Sequence, residues 1–435
     1  MKRFRTYLAL LLIAAIIASG VAGCAESVGS GENAGSTGNA GSTGGVRAQA
    51  VNLMEDIDPN IVNGRPAGDV FIASMADFAI ELFKNGITDG ENSLISPLSL
   101  MLALAMTANG ADGETLRQME RLLGGSIPLG DLNEYLYNYA YGLDDLPESR
   151  LKIANSIWIR DNESLRVEAD FLQRNADYFR AEAFRSAFDS QTVTEINDWV
   201  DANTEGMIDR ILDVIAPEHI MFLINAIMFD AEWEQVYTLE SVRPGEFTDI
   251  GGAVLDVEFM HSAEQLYLDD GMATGFIKPY AGGRYSFAAL LPNEGVSIEA
   301  YIQSLTGEGL LRTLANAQYE TVYTSMPKFE FEYEITLNDV LAALGMPDAF
   351  DSGSADFSRM ATFAHGPIYI SQVLHKTFIS VDELGTRAGA VTMVAMAGRG
   401  ALLEPKYVDL DRPFVFAIID NATNLPVFIG TVMTF

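Results

Sequence analysis

The chain has 435 residues, of which 49% are hydrophobic and 20% are charged, so it is long enough to bury one large core or two smaller ones. Its 27 Lys and Arg residues face 60 Asp and Glu residues, which gives a formal net charge of −33 at pH 7. A chain this acidic repels phosphate backbones and carries no basic stripe, so nucleic-acid binding is excluded. A cationic partner would instead be attracted to it.

The N-terminus has the pattern of a targeting segment. Three cations among the first five residues precede an apolar run from Tyr7 to Ile17, which is too short to span a bilayer comfortably. The following small residues end in Val21-Ala22-Gly23-Cys24, which resembles the lipobox of bacterial lipoproteins. The resemblance implies a signal peptide at 1–23, lipid on Cys24 and an anchored protein on the extracellular side of the bacterial cell membrane. Because Cys24 is the one cysteine, no disulfide or cysteine metal site is expected.

The segment after Cys24 predicts a flexible tether. From Ala25 to about Gly45 the chain consists mainly of Gly, Ser, Thr, Ala and Asn. The apolar residues then become periodic and remain so to Phe435 with no second linker. We therefore expect a tether over 24–68 and a single folded domain over 69–435.

Helices and strands alternate irregularly along the folded part. Apolar spacing predicts a first helix from about residue 69, a second starting at Pro97, and a third around Trp199. The apolar stretch from Met221 to Phe229 predicts a strand covered on both faces. Phenylalanine and tyrosine alternate with glutamate between Phe329 and Ile335, which predicts a strand with one wet face. This order favours an α+β fold with a mixed sheet.

The motifs of enzymes are missing from the chain. It contains four histidines, namely His219, His261, His365 and His375, and no P-loop, zinc-binding helix, dinucleotide-binding turn or nucleophile elbow. A hydrolase on an unrecognised fold stays open as an alternative. The sequence favours a protein that is not an enzyme and needs neither cofactor nor metal.

Nine segments between residues 71 and 432 resemble motifs of the serpin family and follow in the family's order. A single segment of this kind is weak evidence, whereas nine in the family's order are strong evidence. The nine segments are Asn92–Ser99, Gly110–Met119, Ala154–Trp158, Ile196–Ile208, Asn225–Trp233, Pro279–Pro292, Met326–Phe329, His375–Glu383 and Asp411–Gly430.

The resemblance implies both a fold and a function. Serpins have three β-sheets, eight or nine helices and an exposed reactive loop near the C-terminus, here at about 383–411. The implied function is suicide inhibition of a serine protease by a monomer, in which the cleaved loop enters the central sheet as a new strand. A non-inhibitory serpin, acting as a surface-binding or chaperone-like protein, is the alternative.

The hinge of the loop has the composition that strand insertion requires. Counted from Gly385, the inward positions should be small or apolar because they become buried. The alternation places no charge and no proline on that face: the inward residues are Thr386, Ala388, Ala390, Thr392, Val394 and Met396, and the outward ones include Arg387 and Gly389. This pattern favours the inhibitor over the non-inhibitory alternative.

The same count indicates the bond that the protease cleaves. The family's usual distance from the hinge glycine to the scissile residue, fourteen positions, leads from Gly385 to Arg399. Arg399-Gly400 is therefore the expected reactive bond, and an arginine suits a trypsin-like protease with an acidic pocket. Met396 and Leu402 remain alternatives because the stretch up to Arg412 is longer than in many family members.

Two further groups of residues are assigned by the resemblance alone. Ser96, Ser99, Asn225 and His375 match a buried polar cluster beneath the sheet that opens. Trp233, Lys328 and Glu383 match the point where the loop enters the sheet, and Lys328 should pair with Glu383 there. Asp230 and Tyr237 depart from the usual Lys and Phe of the family, which affects packing more than mechanism.

Overall fold

The computed structural model describes residues 49–143, 149–363, 367–386 and 405–435. The stretch Arg47–Phe435 forms one compact unit. No helix in the described ranges is both long and apolar enough to cross a membrane. The same ranges contain nine α-helices, in agreement with the expected eight or nine: α1 Asp69–Gly86, α2 Pro97–Ala108, α3 Gly113–Gly124, α4 Leu129–Tyr141, α5 Ala169–Phe179, α6 Ser190–Asn203, α7 Ile298–Ser304, α8 Gly307–Ala315 and α9 Asn338–Ala343.

Two helices of the core, α2 and α6, begin where the sequence supplies a side-chain cap. The side chain of Ser96 accepts a hydrogen bond from the backbone N–H of Ser99 and so caps α2, whose first residue is Pro97. Asp189 caps α6 in a capping box with Thr192. Every residue of α2 is buried, which places this helix in the centre of the core.

Within the described ranges, the strands form a seven-stranded sheet and two other sheets. The central sheet has the order β1-β5-β3-β6-β15-β14-β12. Its strands are β1 Val51–Asn52, β3 Ser149–Arg160, β5 Glu182–Ser186, β6 Met221–Glu232, β12 Phe329–Thr336, β14 Gln372–Val381 and β15 Gly385–Thr386.

The second sheet has nine strands and the third has two. In the nine-stranded sheet, β16-β11-β8-β9-β10-β17-β18-β2 follow one another and β7 pairs with β8, while β13 pairs with β4. Their bounds are β2 Ser93–Ile95, β4 Arg166–Val167, β7 Val242–Thr248, β8 Val254–Asp269, β9 Ala273–Pro279, β10 Tyr285–Pro292, β11 Gln318–Pro327, β13 Ala361–Thr362, β16 Lys406–Asp409, β17 Phe414–Asp420 and β18 Leu425–Val432. The predicted α+β fold with three sheets is confirmed.

The two strands that the sequence singled out behave as their patterns predict. β6 is buried along almost its whole length because α2 contacts it and α6 contacts it as well. In β12, Glu330, Glu332 and Glu334 are exposed while Phe329 and Tyr333 are buried. The period of two therefore reflects one dry and one wet face.

The folded unit begins earlier than the sequence predicts. Val51 and Asn52 of the predicted tether form β1 and pair with β5, and the backbone N–H of Leu53 donates to the carbonyl of Ala183 at 2.7 Å. Arg65 forms ion pairs with Asp131 at 2.8 Å and Glu134 at 2.9 Å. Residues 49–68 thus pack on the domain rather than linking to it, because β5 offers them an unpaired sheet edge.

Candidate functional site

The central sheet has a seam between β6 and β14. The two strands pair in parallel at five register positions, from Gln372 with Phe222 to Lys376 with Ala226. Further along, the short strand β15 lies between them: Thr386 pairs with Ala231 of β6 and with Val381 of β14. The sheet is therefore closed at one end of the seam, and the first two hinge residues occupy the other end.

The local fit of Gly385 and Thr386 is close. A Cβ atom added to Gly385 would lie 2.1 Å from the carbonyl oxygen of Ala231, so this position requires glycine. Thr386, which the alternation assigns to the inward face, is 2% exposed. Its hydroxyl lies 2.6 Å from that of Tyr280. Burial raises the pKa of Tyr280, which therefore remains a neutral phenol that can share this hydrogen bond.

The turn after β6 holds the chain that leads into the hinge. The backbone N–H of Trp233 donates to the carbonyl of Leu384 at 2.9 Å, and its indole N–H donates to the carbonyl of Asp382 at 2.9 Å. The backbone N–H of Tyr237 donates to the carbonyl of Glu383 at 2.9 Å. Segment 233–237 thus fixes three consecutive residues before Gly385, and we call it the hinge platform.

An ion pair stands beside the platform. Lys328 Nζ lies 2.8 Å from Glu383 Oε2 and 3.2 Å from Glu258 Oε2. The hydrogen bond to Glu383 raises the pKa of Lys328, and the same bond lowers the pKa of Glu383. Both side chains are about one quarter exposed, so the pair orients Glu383 more than it adds to the free energy of folding.

A buried polar cluster spans the seam at its closed end. His375 of β14 and Asn225 of β6 are register partners, and His375 Nδ1 lies 2.7 Å from Asn225 Oδ1. The amide nitrogen of Asn225 donates to the hydroxyl of Ser99 and to Asn155 Oδ1. The hydroxyl of Ser96 donates to the carbonyl of Val427 at 2.9 Å. The structure thus brings together all four residues assigned to this cluster and adds Asn155.

The hydrogen bonds of His375 define its tautomer. The backbone N–H of Ser96 donates to Nε2 at 3.1 Å, so the ring proton lies on Nδ1 and is donated to Asn225. Complete burial lowers the pKa of His375 to about 3, so the ring is neutral at physiological pH. His375 is a structural donor across the seam and is not placed as a general base.

Several predicted residues lie outside the described part of the chain. These are Cys24, Ala388, Gly389, Ala390, Thr392, Arg399 and Gly400, together with the alternative reactive residues Met396 and Leu402. Their assignments remain predictions. Among the described residues there is no cluster of three or more His, Cys, Asp or Glu side chains that would hold a metal ion.

The structure also explains the two departures from the family pattern. Asp230 forms an ion pair with Arg150, its register partner in β3, at 2.5 Å. Tyr237 packs beneath Lys278, whose Nζ lies 4.3 Å from the centroid of the Tyr237 ring.

The sequence analysis missed Lys278. A lysine directly after the apolar Phe276 and Ile277 was a usable signal.

Comparisons with known proteins agree with this geometry. The sequence model of the serpin family, described as serine protease inhibitors, matches residues 73–435. An uncharacterised serpin-like protein of Thermococcus kodakarensis is 31% identical, with 83% of this chain and 85% of that protein covered.

Two solved structures of the thermophilic serpin tengpin are similar over most of their length. The native state is 55% identical with a TM-score of 0.86 and covers 89% of this chain and 100% of tengpin's. The latent state is 54% identical with a TM-score of 0.77 and covers 86% and 100%. The chain therefore belongs to the serpin family.

Proposed function

We propose that the protein is a suicide inhibitor of trypsin-like serine proteases, which cleave it at Arg399-Gly400. The observation that carries this proposal is the position of β15, because Gly385 and Thr386 lie between the two strands that a new strand would have to separate. The next inward residues, Ala388, Ala390 and Thr392, are small enough to continue that strand.

The reaction follows from the chemistry of the serine protease and from the seam. The protease serine attacks the carbonyl carbon of Arg399, the peptide bond to Gly400 breaks, and the leaving amine becomes the new N-terminus at Gly400. The protease is then bound through an ester to Arg399, at the end of a loop that is still joined to the hinge but no longer to Gly400. Insertion of that loop exchanges the five β6–β14 register pairs for two ladders, one on each side of the new strand.

The closed seam supports the proposal that the loop does not insert into the sheet until the protease has cleaved it. Insertion must separate His375 from Asn225, whose hydrogen bond crosses the seam, and so cannot occur without cost. The higher TM-score against native tengpin, 0.86, than against its latent state, 0.77, supports the same interpretation. The energy released when the loop gains two neighbouring strands would then trap the protease before the acyl bond is hydrolysed.

The test is incubation of the purified protein with trypsin followed by boiling in detergent. We expect a covalent complex from which the 36-residue fragment from Gly400 to Phe435 has been released. Chymotrypsin serves as the matched protease with an apolar pocket and should form far less complex. Complete cleavage of the loop without a complex would contradict the proposal and favour a non-inhibitory serpin.

The proposed location is the extracellular face of the bacterial membrane, supported by the signal segment and the lipobox-like end at Cys24. Cys24→Ala removes the thiol that would carry the lipid, so the variant should move from the membrane fraction to the medium. Cell fractionation with immunoblotting measures this. A variant that still sediments with membranes as the wild type does would show that another feature anchors the protein.

A further inference from the structure

A buried ion pair joins two strands of the nine-stranded sheet behind the hinge platform. Lys278 Nζ of β9 lies 2.9 Å from Glu264 Oε1 of β8, and the two side chains are 2% and 10% exposed. The hydroxyl of Ser262 also donates to Glu264 Oε1, at 2.5 Å, and lies 2.9 Å from that of Thr324. Apolar residues of similar size often replace such a pair without loss of stability, so stability alone is a weak reason for its presence.

The remaining contacts of the Lys278 ammonium group are with residues of the hinge platform. Its Nζ donates to the carbonyl of Gln235 at 3.1 Å. It lies 4.3 Å from the ring centroid of Tyr237 and 5.4 Å from that of Trp233, within the range of cation–π attraction. One cation therefore contacts three residues of the five-residue platform.

Those contacts extend to the hinge through the backbone. Trp233 and Tyr237 are the residues whose N–H groups donate to Leu384 and Glu383. Glu264 fixes Lys278, Lys278 fixes the platform, and the platform fixes the three residues before Gly385. Each link is an ion pair, a hydrogen bond or a ring contact, and the side chains of Lys278, Trp233 and Tyr237 are buried.

We propose that Lys278 and Glu264 are positioning residues that hold the hinge platform in register, so that insertion starts at Gly385 as soon as the loop is cleaved. This rests on the proposed function, in which the speed of insertion decides whether the protease is trapped. Both side chains are buried in the nine-stranded sheet, and their proposed action is transmitted through the platform.

Hydrogen–deuterium exchange on the full-length protein tests the positioning directly. The double variant Lys278→Met/Glu264→Met replaces the pair by apolar side chains of similar size and leaves no buried charge. We expect the peptides spanning 233–237 and 382–386 to exchange about tenfold faster, while β3 and the closed end of β6 exchange at the wild-type rate. Glu264→Gln, a milder change that keeps an acceptor for Lys278, should give a smaller acceleration.

Arg284→Met is the matched control. Arg284, in the turn before β10, pairs through Nε at 2.6 Å with Asp420 of β17, whose side chain is 0% exposed; among the described residues it forms no hydrogen bond or ion pair with the platform. This variant should leave exchange at 233–237 and 382–386 unchanged even if it lowers the melting temperature. If those peptides exchange at the wild-type rate in the double variant, the proposal is wrong.

The second readout is the stoichiometry of inhibition of trypsin. It should rise several-fold in the double variant and stay at the wild-type value in Arg284→Met. Faster exchange together with an unchanged stoichiometry would overturn the link between positioning and trapping. If the wild type itself forms no complex, the proposed function fails, while the exchange data still decide whether Lys278 and Glu264 position the hinge.

Discussion

Arg399→Leu is expected to slow complex formation with trypsin by about two to three orders of magnitude. A trypsin-type pocket holds the substrate cation against a buried carboxylate, and leucine leaves that carboxylate unpaired. The loss is on the order of 2–5 kcal/mol for a buried charge pair. The same substitution should make the loop acceptable to chymotrypsin-like proteases, so the rate constant for chymotrypsin should rise. Second-order rate constants with both proteases measure the change.

The other arginine of the loop provides the control. Arg387→Leu changes an outward hinge position and should leave the rate constant with trypsin near the wild-type value. Mass spectrometry of the released peptide gives an independent result, since cleavage after Arg399 yields a fragment from Gly400 to Phe435. A fragment beginning at Ala397 or Leu403 would instead assign the reactive residue to Met396 or Leu402 and contradict the trypsin-type specificity.

Thr386→Arg is expected to convert the proposed inhibitor into a substrate. Thr386 is 2% exposed between β6 and β14, with its hydroxyl 2.6 Å from that of Tyr280, so arginine would bring a charge into a dry site. An unpaired buried charge costs several kcal/mol at least. Because Thr386 already lies in the seam, arginine would displace the start of β15, so insertion could no longer proceed from there. The protease would then complete hydrolysis before it is trapped. The stoichiometry of inhibition should rise from near one to about ten or more, since each 1.4 kcal/mol is tenfold in rate.

Thr386→Val is the matched variant, because valine keeps the shape and removes only the hydroxyl. Loss of one hydrogen bond of about 1 kcal/mol should raise the stoichiometry only slightly. A Thr386→Arg protein with the wild-type stoichiometry would contradict the assignment of the inward face of the hinge.

The sequence predicted the architecture well because the large elements carry their own signals. The apolar run of β6 and the alternation in β12 reflect burial on two faces and on one face. The segment 49–68 escaped prediction for a physical reason. It is held by an edge strand and by the ion pairs of Arg65, and neither contact leaves a period in the sequence.

For the candidate site, too, some contacts could be predicted and others could not. The proximity of Lys328 to Glu383, and of His375 to Asn225, was expected only through the resemblance, since these residues are far apart in the chain. The contact between Lys278 and Glu264 depends on how two long strands are aligned, which no local pattern encodes. The partial entry of β15 likewise depends on the gap between β6 and β14, a property of the assembled sheet.

We propose that the seam between β6 and β14 accepts the cleaved loop as a new strand. The most direct test compares thermal unfolding of the intact protein with that of the same protein cleaved in the loop. A new strand of about ten backbone hydrogen bonds, each contributing about 1 kcal/mol, should raise the melting temperature by roughly 10–20 °C. Identical melting curves before and after cleavage would show that the loop does not enter the sheet and would contradict the account.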